Sequence, residues 1–138
     1  FGEFEFHAFP AAHNEIERDE NGNPKCICLV VKFGGWTLFH SGDTLVYDGL
    51  SEILKRYKID VAFLPINGNI PARGVAGNMD GAEAANLAKQ SDIRLVIPHH
   101  YHLFEFNTAD PDLFESSCKS AGQAYYTMKL GEGIQLNH

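Results

Sequence analysis

Residues 26–40, CICLVVKFGGWTLFH, decide how the chain is read. Cys26 to Phe33 is apolar and β-branched, the composition of a central strand. Gly34-Gly35 supplies a tight turn, and Trp36 to His40 reads as the returning strand of a hairpin. N-terminal to it, Glu3 to Phe9 alternates. Phe4, Phe6 and Ala8 share one face and Glu3, Glu5 and His7 the other, which predicts a half-buried strand. The polar stretch Glu15 to Lys25 joins the two and carries the turn signal Asn21-Gly22-Asn23-Pro24. C-terminal to the hairpin, Ser41 to Thr44 is a loop. Leu50, Ile53, Leu54 and Tyr57 fall at helical spacing, so a helix is expected near Tyr47 to Tyr57. Asp60 to Ile66 reads as a buried strand and Asn67 to Asn78 as a long glycine-containing loop. Asp80 or Asn78 caps a helix through Gln90. Ile93 to Ile97 is a further buried strand that ends at Pro98. Pro111 suits the first turn of a helix to about Ser120. Ala124 to Leu130 and Gly133 to Leu136 are expected to be closing strands. A hairpin followed by strand–helix alternation predicts an α/β layered domain.

Composition narrows the function. Across 138 residues, 11 Lys+Arg stand against 18 Asp+Glu, a net charge of −7. That balance argues against a general nucleic-acid or anionic-membrane binder, which needs a basic surface. No apolar run approaches the roughly 18 residues of a membrane-spanning helix, and no signal-peptide pattern is visible. The 3 cysteines, Cys26, Cys28 and Cys118, make no closed disulfide set and read as buried small hydrophobes in a reducing cytoplasm. The length suits one domain with a real core. The alternating pattern, however, runs back to Phe1, so the chain is expected to be part of something larger.

Polar groups of one chemical kind sit where the chain leaves the sheet. His13 follows the first strand, Asp43 the hairpin, and His99 and His100 the strand that ends at Pro98. Loops at strand ends are where α/β folds place ligands. Imidazole nitrogens and a carboxylate suit a divalent ion such as zinc, manganese or iron. Residue types alone leave other readings open: His13 as a polar loop residue, Asp43 in an Asx turn, and Pro98-His99-His100-Tyr101-His102 as a solvated loop.

The order of these motifs resembles the second half of a metallo-β-lactamase-fold hydrolase. The resemblance rests on Pro10-Ala11-Ala12-His13, then Phe39-His40-Ser41-Gly42-Asp43-Thr44, then Val96-Ile97-Pro98-His99-His100-Tyr101. Arg73-Gly74 through Met79, the Ala82 to Ala88 helix and Ile97-Pro98-His99-His100 look like the ascorbate-6-phosphate lactonase branch. The resemblance implies half of an αββα sandwich with two metal ions at one edge. His13 would bind the first ion, Asp43 would bridge both as the catalytic carboxylate, and His100 would bind the second. His40 and His99 would support those ligands, and Arg73 and Tyr101 would contact substrate. The family's His-x-His-x-Asp-His motif is not among these 138 residues. The chain is therefore expected to be the C-terminal half of a single metallo-hydrolase domain, incomplete and inactive by itself. The expected substrate is a lactone or other ester, phosphorylated or not. A ribonuclease-type phosphodiesterase or a non-catalytic half-domain is the alternative. One apolar sheet face should then be uncovered, and should pair with the missing half or with a second copy in a homo-oligomer.

Overall fold

A computed structural model describes residues 2–137; Phe1, where the alternation begins, and His138 lie outside the described residues. Five strands form one sheet in the order β1-β2-β3-β4-β5. They are β1 (Glu5–Pro10), β2 (Ile27–Phe33), β3 (Trp36–His40), β4 (Val61–Pro65) and β5 (Leu95–His99). The first three pair antiparallel, and β4 and β5 continue in parallel with β3. The parallel steps need crossovers. Helix α1 (Leu50–Lys55) supplies the first and α2 (Gly81–Gln90) the second, and α3 (Asp112–Ala121) follows β5. Phe33 pairs with Trp36 across the Gly34-Gly35 turn, in which both glycines have positive φ.

One face of this sheet is covered. Cys28, Val30, Phe39, Ala62, Leu64 and Val96 form a single buried cluster with Leu50, Leu54, Ala84, Ala85, Leu87, Ala88, Phe114 and Cys118 from the helices. Each large apolar side chain buried there contributes about 1.5–3 kcal/mol. Asp80 caps α2: its side chain accepts from the Glu83 N–H while Glu83 returns a bond to the Asp80 N–H. That reciprocal pair settles the choice of cap and leaves Asn78 for another task. Gly81 begins α2 without a side chain, where a Cβ would lie 2.6 Å from the Phe114 nitrogen of α3.

Three expectations are corrected. In β1 the covered face carries His7 and Phe9, not Phe6 and Ala8. Phe9 stacks on Phe39 at 5.8 Å and His7 lies 5.0 Å from Tyr57, while Phe6 is 52% exposed. Alternation tells which residues share a face but not which face meets the helices, and both faces of this strand carry phenylalanine. The uncovered face also carries Phe4 and Ile27, both exposed, and half-exposed Leu29, Val31, Leu38 and Phe63. The second correction is at the C-terminus, where the expected closing strands do not form. The segment meets the sheet at one bridge, Val96 to Tyr125. It then folds on itself, with Glu132 accepting from the Lys129 N–H and the Tyr126 hydroxyl around Gly131 at φ 77°. Those local bonds compete with a ladder along β5. The third concerns the cysteines: Cys28 and Cys118 are buried as expected, but Cys26 is exposed, because it lies ahead of β2 and outside the buried cluster.

Candidate metal centre

Strand direction gathers the candidate ligands. Two antiparallel steps make β1 run the same way as β3, and β4 and β5 are parallel to β3. The C-terminal ends of β1, β3, β4 and β5 therefore share one sheet edge. His13, Asp43, Asn67 and His100 are the polar residues that follow those ends. The carboxylate of Asp43 lies between two histidines. Its Oδ1 is 2.8 Å from His100 Nε2 and its Oδ2 is 3.7 Å from His13 Nε2. His100 Nε2, His13 Nε2 and the two oxygens thus face one another from three separate loops.

The electrostatics follow from that geometry. The hydrogen bond from His100 is the largest influence on Asp43 and draws its carboxyl down to about 2, against the opposing effect of burial. The charges of His100 and His13 add to this. Burial pushes His99 down to about 3, and repulsion from His100 and His40 adds to it. His99 therefore stays neutral, with Nε2 buried and without a partner among the described residues. Its ring stacks on His40 at 5.0 Å and meets the edge of His100 at 4.5 Å. His40 accepts the Gly42 N–H at Nδ1, at 3.0 Å, and so braces the loop that carries Asp43. Burial holds the His40 imidazole below its ordinary range. His100 itself sits at φ 63°, a conformation few non-glycine residues adopt. Such strain persists only where the surroundings hold it.

The donor set fits a divalent ion in kind: two imidazole nitrogens and a carboxylate that can offer one oxygen to each of two ions. It falls short in number. Among the described residues no group of three or more His, Cys, Asp and Glu side chains forms a ready cage. Two surface hollows lie away from it, one between α2 and α3 beside Asn86 and Ser117, the other around Trp36, Arg94 and Leu136.

The remaining sequence candidates are placed as follows. Arg73 donates to the carbonyls of Asn67 and Thr108 and to Asn107 Oδ1, so its guanidinium ties two loops together. The Tyr101 hydroxyl donates to the Met128 carbonyl. His102 is exposed and 3.9 Å from Asp110. Sequence reasoning missed the residues that stitch the site. Buried Thr44 accepts the Ala12 N–H at 2.8 Å and joins the His13 loop to the Asp43 loop. Asn14 accepts the Gly77 N–H at 2.7 Å. Buried Asn78 donates to Asn67 Oδ1 at 3.1 Å. The one available signal was that Asn78 and Asp80 both suit a cap and a helix needs only one.

Residues 1–101 match the beta-lactamase superfamily domain. The chain belongs to that superfamily. Within it, a UPF0173 metal-dependent hydrolase of Staphylococcus saprophyticus is 31% identical over 99% of the chain and 57% of its own length. A similar protein of the same description from Pyrococcus furiosus is 32% identical over 97% of the chain and 56% of its own length. A solved metallo hydrolase from Ignicoccus hospitalis superposes with TM-score 0.77 at 27% identity, over 99% of this chain and 54% of that one. The superfamily chain thus spans about half the length of these relatives. Its fold is the metallo-β-lactamase type expected from the motif order.

Proposed function

We propose that this chain contributes one half of the active site of a metal-dependent hydrolase. The single observation that carries the reading is Asp43, whose two oxygens face His100 and His13 from different loops. Asp43, His13 and His100 would hold a divalent metal, zinc, manganese or iron, as a pair of ions with ligands from the remainder of the domain. Such ions polarise the scissile group and make a water nucleophilic at neutral pH. Asp43 would supply the negative charge that holds the metal at this edge of the sheet. His100, held at positive φ, keeps its Nε2 aimed at that carboxylate. His40 braces the Asp43 loop through the Gly42 N–H, and half-buried His99 stacks on His40 behind His100.

The substrate class we assign is a lactone or other ester, phosphorylated or not, as in the lactonase branch. Tyr101, next to His100 in the chain, would contact that substrate. A second reading, phosphodiester cleavage on the same centre, is disfavoured by the net charge of −7. The uncovered apolar face of the sheet supports association with the other half of the domain or with a second copy in a homo-oligomer. We place activity in that assembly, in the cytoplasm, and not in this chain alone. No helix is long and apolar enough to cross a membrane among the described residues. The test is metal content and ester hydrolysis by the full-length protein with and without Asp43→Ala. Bound Mn or Zn that Asp43→Ala removes, together with hydrolysis, is the expected result. Failure to bind either metal, with no effect of Asp43→Ala, refutes the reading.

A further inference from the structure

Of the three candidate ligands, His13 has the least regular structure around it. His100 follows β5 directly, and Asp43 comes three residues after β3. His13 comes three residues after β1, and no strand or helix follows it until β2 begins at Ile27. An imidazole on such a segment keeps its place only if its neighbours are held. Both neighbours are held, and by side chains.

On one side stands Ala12. Its N–H donates to the Thr44 hydroxyl at 2.8 Å, and its carbonyl accepts the Leu45 N–H at 2.8 Å. The Thr44 hydroxyl donates its own proton to the Leu45 carbonyl at 2.8 Å. A hydroxyl has one proton, so its lone pairs are left to face Ala12. Thr44 is fully buried and is the residue after Asp43. On the other side stands Asn14, at φ 73°, a left-handed conformation that asparagine adopts more readily than most residues. Its Oδ1 accepts the Gly77 N–H at 2.7 Å. The Thr44 carbonyl accepts the Met79 N–H at 2.9 Å. Three segments are thereby closed into a ring: Ala12 to Thr44, Thr44 to Met79, and Gly77 back to Asn14. Gly77 tolerates no side chain in this ring, since a Cβ there would lie 2.2 Å from Asn69. His13 is the one residue between the two anchors, and its Nε2 is 3.7 Å from Asp43 Oδ2.

We infer that Thr44 and Asn14 are positioning residues for His13, holding the backbone on either side of it so that its imidazole faces Asp43. The inference rests on the proposed metal site for its functional meaning. It also gives the segment after β4 a part in that site, through Gly77 and Met79.

The test is the dissociation constant of the full-length protein for Mn2+ or Zn2+, by chelator competition without substrate. Thr44→Val keeps the shape and removes both hydroxyl bonds, while the Leu45 N–H still holds the Ala12 carbonyl. It should weaken binding roughly tenfold, the lower end of what losing a group that orients a ligand costs. Asn14→Gly keeps the left-handed conformation and removes only the acceptor, and should weaken binding by a similar factor. Thr44→Ser keeps the hydroxyl and should stay within about twofold of wild type. The decisive arm is the His13→Ala background. There Thr44→Val and Asn14→Gly should each cost less than about twofold more, because the residue they act through is gone. Losses as large as those in the wild-type background overturn the inference. So does unchanged affinity in Thr44→Val or Asn14→Gly, or a loss in Thr44→Ser equal to that in Thr44→Val. Circular dichroism screens for folding, and exposed Asn14 carries the comparison if Thr44→Val does not fold. If the wild type binds no metal, the proposed function fails by itself. The ring C–H signals of His13 in the metal-free protein then decide. They should move in Thr44→Val and Asn14→Gly and stay in Thr44→Ser, and indifference to the first two overturns the inference.

Discussion

Gly42 is the residue on which the placement of Asp43 turns. Its φ of +58° is a left-handed conformation, and a Cβ there would lie 2.9 Å from the Ile27 carbonyl oxygen of β2. The left-handed region costs an L-residue about 1 kcal/mol. The contact must also open by about 0.4 Å to reach an ordinary carbon–oxygen separation. Neither side yields easily. Ile27 is held in the ladder opposite Pro10, and the Ser41 N–H is fixed on the Phe63 carbonyl at 3.1 Å. Opening the contact therefore strains the 3.0 Å bond from the Gly42 N–H to His40. That bond is worth about 1 kcal/mol. Gly42→Ala should then lose about 2–3 kcal/mol in all. Gly49 provides the control. Its φ is +87° and nothing lies within 4 Å of a Cβ there, so Gly49→Ala bears the conformational cost alone, about 1 kcal/mol. Urea unfolding of the metal-free protein in EDTA measures both. Equal losses in the two variants would show that the Ile27 contact relaxes freely and would refute the reasoning. Metal titration of the same pair should show weakened binding in Gly42→Ala only.

Phe39→Ala removes a fully buried ring stacked on Phe9 and should cost about 3–5 kcal/mol in denaturant unfolding. Asp80→Ala removes the side-chain acceptor of the Glu83 N–H, while the backbone N–H at position 80 can still donate to Glu83, and should cost about 1 kcal/mol, with earlier hydrogen exchange in the first turn of that helix. Alkylation of the native protein at pH 9 should modify exposed Cys26 and spare Cys28 and Cys118, whose thiols burial pushes up to about 12 and about 11. Native thiols that hold protons the unfolded chain releases stabilise fully below the ordinary value of 9.0. That contribution is lost as pH rises toward 11 and 12, so the base limb of stability should flatten in Cys28→Ala, measured by denaturation across pH 8 to 12.

Local patterns named the elements well and their faces poorly. The hairpin of residues 26–40 was legible because glycine pairs and β-branched runs act through neighbours in sequence. The cap of α2 was half legible, since Asp80 and Asn78 both suit it and only packing chooses. The covered face of β1 was not legible, because Phe6 and Phe9 offer apolar surface on opposite sides and the helices that decide come much later in the chain. The last segment misled for a related reason. Its apolar residues suit a strand, but Glu132 satisfies the local backbone and hydroxyl donors that a ladder would have used.

The candidate site was legible for a reason that lies in topology. Residues thirty to sixty positions apart meet because β1, β3, β4 and β5 run the same way and release their loops at one edge. A histidine or aspartate just after a strand is thus informative even with no spacing rule to support it. The supporting amides are different. Asn67, Asn78 and Asn107 follow no strand-end or helical pattern that marks them, and polar loop residues are common everywhere. Their meaning lies in their hydrogen bonds to one another and to Arg73, which a sequence does not display.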